Sequence, residues 1–253
     1  MPAVLSILNI AAYRFVGIDD PPTLRGWIAG LAESLALKGT VLVAPEGLNL
    51  FLAGEAGDVR AFLDALRTDA RFDGLTAKES WSATVPFARL KVKLKREIIA
   101  FRRDGVDPVG APAPFVDART LKRWLDAGHD DAGQPVLLLD TRNREEVAHG
   151  TFEGALTLPI DDFVELPAAL DAERERFAGA TVVSFCTGGI RCEKAAPFLR
   201  AQGYGDVRQL DGGILGYFEH VGGAHWRGAC FVFDERVALG PDLEPVGKAG
   251  GAD

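Results

Sequence analysis

At 253 residues and 47% hydrophobic composition the chain can bury one large core or two modest ones, and its length favours two. Three cysteines, Cys186, Cys192 and Cys230, form an odd set without C-x-x-C spacing. This argues against a disulfide framework and a structural zinc site, and fits reduced, cytoplasmic thiols. A net charge of −8 and a pI near 5.1 oppose a nucleic-acid partner on average, because phosphate is bound by local positive potential.

Met1 to Ile10 lack the basic start and unbroken apolar stretch of a secretory signal, and no apolar run approaches membrane-spanning length. A cytoplasmic location with no membrane contact is expected. An apolar run from Val4 to Phe15 reads as a strand, and Pro22 to Leu37 as a helix whose opening prolines lose no helical hydrogen bond. Thr40 to Ala44 and Asn49 to Ala53 are β-rich and joined by Pro45-Glu46-Gly47-Leu48, which predicts a hairpin. Asp58 to Arg67 places Val59, Phe62, Leu63 and Leu66 on one helical face, and strand-like segments follow at Leu75 to Trp81 and Leu90 to Ile99. The order β-α-β-β-α-β predicts a ferredoxin-like or acylphosphatase-like α+β sandwich over residues 1–102.

The average charge hides a basic segment. Between Arg89 and Arg103 stand seven basic residues and one acid, a net +6 that leaves −14 for the rest of the chain. Arg89, Lys91, Lys93 and Lys95 alternate with Leu90, Val92 and Leu94, so on a strand the basic groups share one face and the apolar ones pack inward. That stripe is either a phosphate-contacting surface or the solvated face of a half-buried strand. Glu46 and Asn49 are candidate substrate contacts, or ordinary turn residues.

Gly105, Pro108, Gly110, Pro112 and Pro114 mark residues 103–114 as an extended linker. Beyond it, Val136 to Leu139 and Val182 to Phe185 are short continuous apolar runs, the pattern of buried parallel strands covered by helices. Residues 115–238 are therefore expected to form a second, α/β domain, with Trp226 and the segment Cys230 to Asp234 as a C-terminal cap. The glycine- and proline-rich residues 239–253 read as a disordered tail.

The strand Thr181 to Phe185 runs into Cys186-Thr187-Gly188-Gly189-Ile190-Arg191, and a helix is expected from Cys192 to Arg200. A thiol at such a strand-to-helix turn sits among inward-pointing N–H groups, with glycines granting unusual backbone angles. These features lower its pKa, and Arg191 adds a positive charge at the rim, so Cys186 is the candidate nucleophile. The competing reading is a small buried hydrophobe. Only four residues separate Cys186 from Arg191, one fewer than in cysteine phosphatase loops, which suits sulfur or a small electrophile better than phosphate. Cys192 is either a redox partner of Cys186 or a core residue. His129, His149, His220 and His225 show no metal-ligand spacing and read as structural.

Asp140-Thr141-Arg142 with Glu146, then Gly150-Thr151-Phe152-Glu153-Gly154-Ala155 and Pro159, resembles the rhodanese signature, as does Leu210-Asp211-Gly212-Gly213 with Tyr217 where Trp is usual. The resemblance narrows further. The segments Gly39 to Asn49, Val92 to Lys95, Cys186 to Lys194 and Cys230 to Val237 resemble the bacterial tRNA uridine hydroxylases. It implies a rhodanese domain, with a parallel sheet covered by helices, after the ferredoxin-like one. It also implies oxygen-dependent conversion of the wobble uridine of tRNA to 5-hydroxyuridine, with Cys186 catalytic and Asp140, Arg142 and Glu146 supporting the loop.

Molecular oxygen and an unidentified electron donor are implied with it, but no metal, flavin or haem motif is visible, and no protein partner is evident. Many members continue into a Cys-rich extension that has no counterpart here, so no metal role is carried over. A rhodanese sulfurtransferase carrying a persulfide on Cys186 is the alternative activity, and a non-enzymatic adaptor the third.

Overall fold

The computed structural model describes residues 5–246, which divide into two compact units. The first comprises residues up to Ala100 together with Phe233–Arg236, and the second comprises Phe101–Val232 and the chain from Val237.

In the first unit β1 (Ile7–Phe15), α1 (Pro21–Ser34), β2 (Lys38–Ala44), β3 (Gly47–Glu55), α2 (Ala56–Arg67), β4 (Lys78–Ser82) and β5 (Leu90–Leu94) follow in order. The sheet runs β4-β1-β3-β2-β5; β5 adds to the edge in parallel with β2, and all other pairs are antiparallel. Both helices pack on one face, because period-two alternation turns Leu8, Ile10, Val41, Val43, Leu50 and Leu52 towards Leu24, Ile28, Val59 and Phe62. Asp20 caps α1 by accepting from the Thr23 N–H at 3.3 Å, and the prolines occupy its first turn. β1 passes so close to the β2–β3 turn that a Cβ on Gly47, at φ +148°, would stand 2.0 Å from the Arg14 carbonyl oxygen. Only glycine fits there.

Leu90 and Val92 pack against the core while Arg89, Lys91, Lys93 and Lys95 are exposed, but Leu94, expected inward, is 48% exposed at the end of this edge strand. The strand also stops at Leu94 instead of continuing to Ile99. Its partner β2 ends at Ala44, and the chain beyond is redirected by two side chains: the Ile98 N–H donates to Glu46 Oε1 at 2.7 Å, and Asn49 Nδ2 donates to the Ile98 carbonyl at 3.2 Å. Glu46 and Asn49 therefore pin the chain after β5, a role that ordinary turn composition does not advertise.

The second unit is built from β6 (Phe115–Val116), α3 (Ala118–Ala127), β7 (Val136–Asp140), α4 (Arg144–His149), β8 (Gly150–Phe152), α5 (Leu166–Asp171), β9 (Thr181–Phe185), α6 (Cys192–Ala201), β10 (Val207–Leu210) and α7 (Gly213–Val221). Its sheet, β6-β10-β9-β7, is parallel throughout, and every residue of the central β9 is buried. The short β11 (Trp226–Gly228) pairs with β8, and β12 (Cys230–Phe231) with β13 (Ala238–Leu239).

Three boundaries differ from the expectations of the sequence. Phe101, assigned to the first domain, is 1% exposed in the second unit, where its ring stacks on Phe163 at 4.8 Å and meets Phe198 at 5.4 Å. Phe233–Arg236 belongs to the first unit and not to a cap on the second: Arg236 donates to Ser80 Oγ at 2.7 Å, and the Glu235 N–H donates to the Pro86 carbonyl at 3.1 Å. The tail is ordered through Val246, with Leu239 buried, the Val246 N–H bonded to Ala238 O at 3.1 Å and Gly240 N–H to Glu244 O at 2.9 Å. The remaining tail, 247–253, lies outside the described residues.

Candidate active site

Parallel pairing of β7 with β9 sets Asp140 opposite Phe185, so the carboxyl ends of both strands deliver their next residues to one place. Open α/β sheets bind ligands at such ends. Cys186 follows β9 directly, and the loop Thr187 to Arg191 returns into α6. Within it Gly189 adopts φ +101° and its N–H donates to Cys186 Sγ at 3.2 Å. Of the glycine pair only Gly189 uses the left-handed region; Gly188 has open space where a Cβ would stand.

Burial pushes the Cys186 thiol up, but a hydrogen bond from Cys192, the charge of Arg191 and the N–H groups of Arg191 and Gly189 outweigh it and hold the thiol down to about 5. Cys192, at the first position of α6, is the complementary case. Burial and the neighbouring sulfur push its thiol well above the usual range, so it remains protonated and donates. Its sulfur also lies 3.8 Å from Thr141 Oγ1. Cys192 is thus both a buried residue and a hydrogen-bond donor to Cys186, which chain order alone does not reveal.

Arg191 does not stand at a rim. Its side chain is buried, and its fork meets Glu146 with Nη1–Oε2 at 2.5 Å and Nη2–Oε1 at 2.7 Å. Burial drives the Glu146 carboxyl up and the Arg191 guanidinium down, yet their mutual attraction reverses both, leaving Glu146 below and Arg191 above their ordinary values. Glu146 also accepts from Thr187 Oγ1 at 3.3 Å. It closes a capping box with Asn143, accepting from the Asn143 N–H at 3.2 Å while its own N–H donates to Asn143 Oδ1 at 2.9 Å. One carboxylate therefore ties the start of α4 to both ends of the loop.

Behind this pair lies a second. Asp140 and Arg142 are fully buried, with Arg142 Nε on Asp140 Oδ1 at 2.9 Å and Nη2 on Oδ2 at 2.6 Å. Arg142 Nη2 further donates to the Gly150 carbonyl at 2.6 Å, and Thr151 Oγ1 donates to Asp140 Oδ2 at 2.8 Å, so the pair locks β7 to β8. Cys230 lies beside these charges and Thr187, but burial pushes its thiol up to about 12 and it stays neutral. Among the histidines, His225 does find a carboxylate, Asp126 at 2.7 Å, across ninety-nine positions of chain.

The start of α7 completes the loop's support. Ile214 and Leu215 N–H groups donate to the carbonyls of Cys186 and Thr187 at 2.9 and 3.0 Å. This approach is possible because Gly213, at φ +60°, has no Cβ: one would stand 2.4 Å from Cys186 O and 2.7 Å from Gly189 N. The Asp211-Gly212-Gly213 turn after β10 is the sequence signal for this contact, which the residues around Cys186 do not carry.

Residues 7–98 match the UPF0176 acylphosphatase-like domain, and residues 111–220 match the rhodanese-like domain. A tRNA uridine(34) hydroxylase of Xanthomonas euvesicatoria is 60% identical over 95% of this chain and 97% of its own. The chain belongs to the tRNA uridine(34) hydroxylase family. A member from Variovorax paradoxus is 60% identical over 94% of this chain and 90% of its own. Among solved structures, the rhodanese-like domain from Anabaena sp. is 28% identical, covers 46% of this chain and 79% of its own, and has a TM-score of 0.35.

Two expectations follow. The alkylation rate of Cys186 is level across the neutral range and falls below about pH 5, because the nucleophile is the deprotonated sulfur and only there does it take up a proton. Cys192→Ala, which removes a donor, moves that midpoint upward; a native midpoint near ~8.5, the value of a free cysteine, overturns the assignment. Gly213→Ala lowers stability by about 1–3 kcal/mol from backbone conformation alone. Thermal unfolding checks this, and the same variant alkylates Cys186 with a shifted pH profile because the loop must move.

Proposed function

We propose that this chain hydroxylates the wobble uridine of tRNA to 5-hydroxyuridine, with the Cys186 sulfur as the group that attacks the base. The observation that carries the reading is a buried cysteine held as thiolate by Cys192, Gly189 and Arg191, in a family whose members bear that activity in their name. A tRNA substrate places the work in the cytoplasm. The enzyme is read as an oxidoreductase of the oxygen-dependent monooxygenase type: uridine, dioxygen, two electrons from a donor and two protons yield 5-hydroxyuridine and water.

The protein's part is nucleophilic. Addition of the Cys186 sulfur, or of a persulfide formed on it from a sulfane-sulfur donor, to C6 of uracil breaks the C5–C6 double bond and leaves electron density at C5, which takes one oxygen atom of dioxygen as the O–O bond breaks and the other atom leaves as water with the donor's two electrons and two protons. Loss of the C5 proton and expulsion of the sulfur then restore the ring. A low-pKa sulfur suits both ends of this sequence, since it is charged for attack and leaves readily. Thr187, Gly188, Gly189, Ile190 and Arg191 form the loop that surrounds the reacting sulfur. Glu146 holds Arg191 in place, while Asp140 and Arg142 hold the wall behind it.

Arg89, Lys91, Lys93 and Lys95 are proposed as the phosphate-contacting stripe. They are exposed at the edge of the first unit's sheet, on a chain whose remainder is strongly acidic. Small-molecule sulfur transfer gives such a stripe no purpose.

Cys186→Ser abolishes 5-hydroxyuridine in tRNA while the fold persists, because the hydroxyl matches the thiol in size but does not ionise near neutrality. Nucleoside analysis of a complemented deletion strain checks it, and undiminished 5-hydroxyuridine removes Cys186 from the chemistry. Replacing Lys91, Lys93 and Lys95 with Gln weakens tRNA binding and lowers the slope of its salt dependence by about one unit per lost phosphate contact. Cys186 alkylation is unchanged in that variant. Unaltered affinity and slope in salt titrations return the stripe to a merely solvated strand face.

A further inference from the structure

The helix-free side of the first unit's sheet carries residues that the core does not use. Strand register sets Phe51 on β3 opposite Thr40 on β2, and Thr40 opposite Lys91 on β5, while Lys93 stands two positions along the same face. Onto Phe51 is laid Phe233, its ring centroid 6.3 Å away and tilted by 56°, and Phe233 is 52% exposed. A large aromatic side chain therefore caps a sheet face whose edge is lined with lysines.

The turn that presents it is over-determined. Asp234 and Arg236 are bonded through both arms, at 2.8 and 2.6 Å, and are nearly buried. Arg236 reaches Ser80 Oγ on β4, and the Glu235 N–H is bonded to Pro86. Directly after the turn, Val237 sits at φ +66°, a region that costs a β-branched residue about 1–3 kcal/mol. Strain and ion pairing spent on holding an aromatic ring half in water point to a ligand for that ring, since burial would stabilise it more simply.

We propose that Phe233, backed by Phe51, is a stacking platform for an unpaired base of the tRNA, with Lys91 and Lys93 neutralising neighbouring phosphates. This rests on the reading that tRNA is the substrate and adds where an unpaired nucleotide is held. Stacking on aromatic rings beside cationic side chains is the general way in which proteins hold single-stranded RNA, and the wobble nucleotide lies in a single-stranded loop. Two strand spacings, about 10 Å, separate the Phe51 and Lys91 backbones, so a base on the ring leaves its own phosphate within reach of a lysine side chain.

The test uses the full chain with Phe233→Leu, Phe233→Ala and Phe233→Trp. Leucine keeps an apolar contact with Phe51 but has no π face, so its effect separates stacking from folding, and thermal unfolding confirms that it folds. Phe233→Leu and Phe233→Ala should each weaken binding of unmodified tRNA by about 5- to 150-fold. Phe233→Trp should retain native affinity, with its added emission quenched on binding. Native affinity in the leucine variant, an equal loss on a blunt RNA duplex, or tryptophan emission indifferent to tRNA each overturns the platform. Nucleoside analysis of the same strains keeps the two readings apart. Undiminished RNA-binding effects without any 5-hydroxyuridine from the native protein defeat the hydroxylase reading alone, whereas normal hydroxylation with an indifferent Phe233 defeats the platform alone.

Discussion

Glu146 and Arg191 meet out of water, and the reactive loop is built around that meeting. Removing two full charges from solvent costs several kcal/mol each, and the cost is offset only if geometry is near ideal and the remaining polar positions are satisfied. Here the guanidinium fork faces both carboxylate oxygens, and those oxygens also take the Thr187 hydroxyl and the Asn143 N–H. The arrangement has a chemical consequence. An Arg191 committed to Glu146 is not free to clamp an incoming phosphate, yet its charge still acts on the adjacent sulfur, so the loop stabilises its own thiolate in preference to an external anion.

The three cysteines show how narrowly that stabilisation is aimed. All are buried, and burial alone pushes every thiol upward. At Cys186 the donors and the committed cation outweigh burial, whereas at the other two burial prevails, and Cys192 becomes one of those donors because its own thiol is kept protonated. Cys230 remains neutral a short way off. The scaffold enforcing the difference is backbone: Gly189 turns its N–H onto the sulfur, and Gly213 lets α7 close against the carbonyls of Cys186 and Thr187.

The first unit has a different physical character. Its helices cover one face of the sheet, the other carries Thr40 and Phe51, and β5 adds a cationic edge through Lys91 and Lys93. Charge segregation of this kind lets an acidic protein approach a polyanion through one surface while its remainder repels. The basic stripe lies in the first unit and the low-pKa sulfur of Cys186 in the second.

What the sequence by itself determined was whatever depends on neighbours in the chain. Helical spacing of Val59, Phe62, Leu63 and Leu66, alternation through Arg89 to Val92, and continuous apolar runs at β7 and β9 follow from period and composition, and they give the βαββαβ order and the parallel sheet. The loop from Cys186 to Arg191 was legible for the same reason, since strand, thiol, glycines and helix are consecutive. Tertiary structure alone decided which distant groups meet. Arg191 turns inward because Glu146, forty-five positions away, offers a buried carboxylate. Glu46 and Asn49 hold Ile98, Gly213 is needed because α7 crosses the loop without room for a Cβ, and Phe233–Arg236 joins the first unit although its chain neighbours belong to the second. Sequence periodicity reports which face of an element is apolar, but the partner of a buried charge or of a glycine is fixed only by how the elements pack.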